Sequence, residues 1–309
     1  MKVLVTGADG FVGPHLVRRL IETGHEVLAG CRPGGGPVNR WLGPQWRNAV
    51  QAIDLEITEP ASVIAALREQ PEAIVHLAAV AYSPDAQADP VQAWNVNVDG
   101  TAHLLRAAAE GRTPGSEGPV VVVASSAEVY GDGEPRPRLE TDVPRPHSVY
   151  GWSKVGAELA AGYAISAWGL RVIVVRPFPA AGPGQTKRLI PNWLAALRRG
   201  DKIEGDPTVV RDYIDVRDMA EAYLALLGAG RPGETYNIAT GREVRFGELA
   251  RKLGEMVGGE GRLVPPLKPR IGLKHLVGDS RKLQQHTGWQ PTIPLEQTLE
   301  DMIGDAEAH

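Results

Sequence analysis

The sequence is poor in cysteine and carries no surplus of basic charge. Cys31 is the only thiol, so an intrachain disulfide cannot form and a structural zinc site built on several thiolates is excluded. A reducing cytoplasm is the expected location. Lysine and arginine number 33 against 37 aspartates and glutamates, which leaves no electrostatic footprint for nucleic acid. No run approaches the roughly 20 apolar residues of a membrane-spanning helix. The opening "MKVLVTGADG" reaches glycine after a handful of apolar residues, too few for the hydrophobic segment of an export signal. Low-complexity tracts and internal repeats are missing too. The partner expected from these absences is a small molecule, with neither nucleic acid nor membrane involved.

Apolar runs alternating with helical periodicity are what the chain does contain. The candidate strands are "KVLVT", "HEVLAG", "AVQAI", "AIVHLAA", "VVVVAS" and "RVIVVR", and helical patterns cover 11–23, 60–69, 88–109 and 148–168. Continuously apolar strands separated by helices describe a parallel sheet covered on both faces, because each parallel pair needs a crossover. The predicted fold class is α/β, a Rossmann-type doubly wound parallel sheet with a smaller C-terminal α/β substrate lobe. Residues 1–176 form the dinucleotide-binding domain and 177–309 the substrate lobe, with a helix over 187–199 and some elements interchanged between the two.

The stretch "VTGADGFVG" places Gly7, Gly10 and Gly13 after the first strand and at the entry to the first helix, with Phe11 and Val12 inside the turn. Glycines there admit a pyrophosphate to backbone N–H groups at the positive end of a helix; the alternative is an ordinary glycine turn. A site for NAD usually ends its second strand with an acid, whereas an arginine suits the 2′-phosphate of NADP. Here the strand ends "LAGCRPGGG". Arg32 is the candidate clamp, or else a solvated loop cation, and NADP(H) is the expected cofactor with NAD(H) as the alternative. Asp54 and Leu55 end the third strand, where they would meet the adenine; Asp54 could equally cap a turn.

"SVYGWSK" puts Tyr150 and Lys154 four residues apart, on one helical face. A phenol of pKa about 10 is a poor acid or base at neutral pH, and a nearby ammonium would favour the phenolate. "VVVASSAEVYG" adds Ser125 and Ser126 past the carboxyl end of the fifth strand, the edge where open α/β sheets bind ligands. A hydroxyl there would hold the substrate oxygen.

In these stretches and in "IVHLAA", "NVDGT", "RPF" with "GPGQ", "RDYIDVRD", "YNIATG" and "GDSRKLQQHTGW", the chain resembles an extended short-chain dehydrogenase/reductase of the nucleotide-sugar branch. Nucleotide-sugar epimerases, 4,6-dehydratases and 4-keto-6-deoxy-sugar reductases belong to it, and the chain resembles its GDP-mannose members in length and in the run from "GPGQ" to "TGWQPTIPLEQTL". The resemblance implies Ser126, Tyr150 and Lys154 as the catalytic trio. It implies Asn97 in the supporting hydrogen-bond network and Leu77, Ala78 and Ala79 along the cofactor groove. Arg211 would reach the substrate diphosphate, and Arg188, Arg270 and Ser125 are further substrate-binding candidates. The bland readings are a helix-bracing Asn97, a packed strand histidine at His76, and an Arg211 paired with Asp212 or Asp215. Relatives commonly carry asparagine at the position of Pro179, and "KPRIGLKHLVGD" lacks the acid that often follows the position of Arg270.

Family dehydratases carry a carboxylate base two residues past the serine or threonine, and some place an acid between them. This chain reads Ser126, Ala127, Glu128, so Glu128 is available as a base but the intermediate acid is missing. The expected activity is reduction of a nucleotide-linked 4-keto-6-deoxyhexose by hydride transfer to C4. A dehydratase or epimerase that retains its cofactor is the alternative, and a non-catalytic dinucleotide sensor is the reading from another class. Alanine-rich "GTAHLLRAAAE" and "KVGAELAAGYAISAW" match helices that pair across a two-fold axis in relatives, so a homodimer is expected.

Overall fold

The protein is described from a computed structural model that covers residues 1–34, 46, 49–112, 115–261, 263–265 and 273–308. Its centre is a seven-stranded sheet in which every pairing is parallel. The six strands read from the sequence are present: β1 (Lys2–Thr6), β2 (Glu26–Cys31), β3 (Val50–Asp54), β4 (Ala73–His76), β5 (Val120–Ala124) and β6 (Arg171–Pro177). The seventh, Thr235–Ile238, pairs with β6 at one edge, and the sheet order from that edge is this strand, β6, β5, β4, β1, β2, β3. A strand from the C-terminal half therefore completes the N-terminal sheet.

Side chains alternate across the pleat and form two cores. Val3, Val5, Val27, Ala29, Val75, Val122 and Ile173 point to one layer, with Leu16, Val17 and Leu20 of helix α1 (Gly13–Glu22). Leu4, Leu28, Ile74, Val121, Val123 and Val172 point to the other, with Leu104, Leu105, Ala161 and Ala164. Burying each such aliphatic side chain stabilises the fold by about 1.5–3 kcal/mol. A doubly covered sheet is why the middles of β1, β2, β4, β5 and β6 are apolar, while the edge strand β3 exposes Gln51 and Asp54.

The single helix expected over 88–109 is instead a series. Helices α3 (Ser83–Ala88) and α4 (Pro90–Trp94) are followed by a π-turn at Asn95–Asp99 and then by α5 (Gly100–Glu110); α2 (Pro60–Leu67) lies earlier in the chain. Pro90 begins a new helix with Asp89 as its cap, and the π-turn carries Asn97 into the interior, where it is 1% exposed. Helix α6 (Val149–Trp168) starts at Ser148, whose hydroxyl accepts from Gly151 N. Helix α8 (Val216–Ala229) joins the sheet core beside α1, and the remaining lobe has α7 (Leu189–Arg198) and α9 (Phe246–Val257) with short strand pairs. Among the latter, Val210–Arg211 lies between Val244–Arg245 and His275–Leu276. No helix among the described residues is long and apolar enough to cross a membrane.

Candidate active site

The glycine loop follows β1 directly. Gly7 has φ +65° and its missing Cβ would lie 2.7 Å from Ala78 N, while a Cβ on Gly13 would lie 2.4 Å from Ala8 O. Both positions need glycine because backbone already fills the space. Helix α1 has no side-chain cap and no acid in its first turn. Its N-terminal N–H groups thus suit an anion, and the pyrophosphate of a dinucleotide fits this cradle. Phe11 and Val12 are half-buried in the turn. Leu77, Ala78 and Ala79 are half-buried opposite, where Leu77 N donates to Thr6 O and Ala78 N to Thr6 Oγ1.

At the far end of β2, Arg32 is exposed. Asp54 is exposed as well, whereas Leu55 is buried and would touch a Cβ placed on Gly30. Leu55 thus belongs to the sheet's core packing. Arg270 lies outside the described residues.

Tyr150 and Lys154 share a face of α6, as their spacing requires, with the ammonium 5.9 Å from the centre of the phenol ring. Lys154 Nζ donates to Ala124 O at 2.7 Å. Burial lowers this ammonium to about 8, opposed by the Glu158 carboxylate. The phenol behaves differently from the sequence-based expectation. Burial first, then the Glu128 charge, push Tyr150 up to about 12, while a hydrogen bond with Ser126 and the Arg188 charge oppose them. An acidified phenol is therefore not a property of the protein alone: Lys154 turns its charge to the β5 carbonyl, and desolvation dominates at Tyr150.

Ser126 lies at the end of β5, where its Oγ accepts from Glu128 N at 3.1 Å. Glu128 Oε2 accepts from Ser148 Oγ at 2.8 Å and from Ser83 Oγ at 3.4 Å, so the carboxylate ties α3, the α6 cap and the post-β5 turn together. Ser125 is directed elsewhere. Its hydroxyl donates to Glu158 Oε1 at 2.5 Å, and Glu158 also receives both arms of the Arg176 fork at 2.8 and 2.7 Å. That buried ion pair anchors α6 to β6; Arg176 opens the "RPF" stretch, whereas Glu158 lies outside the motifs that carry the site.

Asn97 accepts from Val80 N at 2.8 Å and donates to Ser153 Oγ at 2.8 Å. Ser153 in turn donates to Tyr150 O. Arg188, just before α7, donates to Ala81 O at 3.1 Å and stacks 4.5 Å above the Tyr82 ring. Arg211 donates to Val210 O and Leu273 O and lies over Phe246. It does not pair with Asp212 or Asp215. Asp212 is buried and holds Thr240, Gly241 and Gly278, and Asp215 holds Arg217 and Thr298. Pro179 gives its carbonyl to Ile214 N.

The arrangement combines a dinucleotide cradle with a hydroxyl, a phenol and an ammonium at the carboxyl edge of a parallel sheet, which suits hydride and proton transfer at an alcohol or carbonyl carbon. Residues 3–239 match the family model described as the NAD dependent epimerase/dehydratase family. The chain is 32% identical over 320 residues to the GDP-6-deoxy-D-mannose reductase of Pseudomonas aeruginosa, covering 99% of this chain and 97% of that protein. It superposes on the crystal structure of a UDP-glucose 4-epimerase from Thermotoga maritima with UDP-glucose at TM-score 0.90, with 26% identity and 100% and 99% coverage. The structure of RMD from Pseudomonas aeruginosa complexed with NADPH gives TM-score 0.82 and 30% identity, with 99% of each chain covered.

Proposed function

The chain belongs to the NAD dependent epimerase/dehydratase family, whose nucleotide-sugar reductases, epimerases and dehydratases are enzymes, and from that premise we propose that it is a reductase of a GDP-linked 4-keto-6-deoxyhexose with NADPH as its preferred cofactor. The observation that carries this reading is the full-length similarity to a GDP-6-deoxy-D-mannose reductase. Two local features agree with it. Ala127 stands where some eliminating enzymes place an acid, and two serine hydroxyls already occupy one oxygen of Glu128.

The bound nicotinamide would supply the hydride that reduces C4. Gly7, Gly10 and Gly13 would hold the pyrophosphate, Leu77 to Ala79 would line the groove, and Arg32 would meet the 2′-phosphate. Tyr150 delivers a proton to the alkoxide that develops at C4, and Ser126 hydrogen-bonds the same oxygen, so the charge of the transition state is met by two fixed hydroxyl groups. Lys154 would hold the nicotinamide ribose, from a position fixed by its hydrogen bond to Ala124 O. Arg188 and Arg211 neutralise the diphosphate and position the sugar.

A second reading, a dehydratase or epimerase that keeps its cofactor through the cycle, is favoured by Glu128, which lies close enough to Tyr150 to raise its pKa. One experiment separates the two: purified protein is incubated with a panel of nucleotide sugars and their 4-keto-6-deoxy derivatives, with and without NADPH. Stoichiometric NADPH consumption supports reduction. Product formed without added reductant overturns it.

Assembly follows from the same reading. Trp152, Leu159 and Tyr163 on α6 are 54%, 70% and 59% exposed, an apolar stripe too large to leave to water. We propose that a second copy covers it, pairing α5 and α6 across a two-fold axis.

A further inference from the structure

His76 ends β4, is fully buried, and has no part in the chemistry assigned to Ser126, Tyr150 and Lys154. Both ring nitrogens are engaged: Nδ1 lies 2.7 Å from Thr6 Oγ1 and Nε2 lies 3.0 Å from Thr101 Oγ1. The neighbours determine which nitrogen carries the proton. Thr101 has one O–H and donates it to Asn97 O at 2.7 Å. Towards His76 it can only accept, so Nε2 must be the N–H. Burial, with the Lys154 charge adding to it, holds His76 down to about 3. The ring is therefore neutral and Nδ1 is bare, accepting from the Thr6 hydroxyl. With its own proton committed, Thr6 Oγ1 accepts from Ala78 N–H at 3.2 Å.

The chain of donors thus has one direction, from Ala78 N–H through Thr6, His76 and Thr101 to the Asn97 carbonyl. The Asn97 side chain continues it by donating to Ser153 Oγ at 2.8 Å, and Ser153 donates to Tyr150 O at 2.7 Å. One end is the floor of the cofactor cradle, since Thr6 precedes Gly7 and Ala78 occupies the space where a Gly7 Cβ would be. The other end is the backbone of the proton donor. An apolar residue in place of His76 would leave the buried Thr6 O–H without its acceptor and Thr101 Oγ1 without the N–H it accepts.

We propose that His76, in its Nε2-protonated form, is a positioning residue that keeps the cofactor floor at Thr6–Gly7 and Leu77–Ala79 in register with the helix that carries Tyr150. The inference rests on Tyr150 being the proton donor. Displacing reacting groups by about 1 Å can cost about a hundredfold in rate, so the register matters to the chemistry as well as to the fold.

Two measurements test it. In the whole protein labelled with 15N-histidine, His76 is expected to show a bare Nδ1 and a protonated Nε2, unchanged from about pH 8 to about pH 5, the range across which an ordinary histidine near 6.5 titrates. An Nδ1-protonated ring, or titration within that range, overturns the proposal whatever reaction the enzyme runs. Second, H76L and H76Q are compared with the parent in single-turnover reduction of whichever substrate the panel identifies, and in NADPH binding. H76L is expected to lose at least about tenfold in rate with weaker NADPH binding. H76Q, which keeps a donor towards Thr101, is expected to recover most of the rate. Folded H76L with parental rate and affinity overturns the proposal. Should H76L fail to fold, T101V, which cuts the series between His76 and Asn97, is read in the same assay, and a parental rate there overturns it. Failure of the whole panel would sink the reductase reading while leaving the tautomer measurement standing.

Discussion

Lys154 Nζ donates to the carbonyl oxygen of Ala124 across 2.7 Å, so a single buried ammonium joins the last residue of β5 to the second turn of α6. Keeping that charge out of water has a cost that depends on pH. An unfolded lysine titrates near 10.5 and the folded one near 8, so between those values the unfolded chain binds the extra proton and stability rises with pH. Below about 8 the penalty is present in full. Lys154→Met is expected to flatten this slope, removing a few kcal/mol of pH dependence, as read from urea midpoints at stepped pH. An unchanged slope would show that the burial penalty lies elsewhere.

Tyr150→Phe removes the phenolic proton while keeping the ring that packs among Val80, Ala86, Ala93 and Val149. Turnover should fall by about 10²–10⁴-fold, with NADPH affinity within a few-fold of the parent by fluorescence titration. Full activity would refute the proton-donor role.

Gly7→Ala forces a side chain into a left-handed backbone conformation, costing about 1–2 kcal/mol, and drives its Cβ against Ala78 N. Thermal unfolding should show the loss of stability, and calorimetry should show NADPH binding weakened by more than tenfold, roughly the worth of one charge-assisted hydrogen bond to a phosphate. Unaltered binding would place the pyrophosphate away from this loop.

Glu128→Gln separates the two reactions. As a reductase the protein needs no base at Glu128, so its rate should stay within about tenfold of the parent, the amide keeping some of the contacts to Ser83 and Ser148. An enzyme relying on the carboxylate as a general base would lose about 10²–10⁴-fold. The product assay by mass decides.

Leu159→Asp places a charge in the centre of the exposed α6 stripe. Light scattering at micromolar concentration is expected to give a dimer for the parent and a monomer for the variant. A monomeric parent would remove the assembly proposal.

Period and spacing carried much of this molecule into view. The apolar runs of β1, β2, β4, β5 and β6 are legible because a doubly covered sheet demands them, and Tyr150 with Lys154 is legible because four residues close one helical turn. The Thr235–Ile238 strand was harder to see: "TYNI" is short and half polar, and only pairing with β6 makes it a strand. The break at Pro90 and the π-turn at Asn95–Asp99 were hidden by apolar spacing that reads as one helix. Glu158 also leaves no trace, since its role is set by Arg176 on β6 and by Ser125 just past β5. The direction of the Tyr150 shift was likewise illegible, because spacing gives proximity to a cation but not the depth of burial.

That late-arriving edge strand has a consequence for synthesis. Until the ribosome has released residue 238, β6 presents a row of unpaired amides and carbonyls to whatever approaches, so the nucleotide-binding half cannot finish folding ahead of the rest. Cutting the gene after residue 176 should therefore yield an aggregating fragment and not an autonomous module.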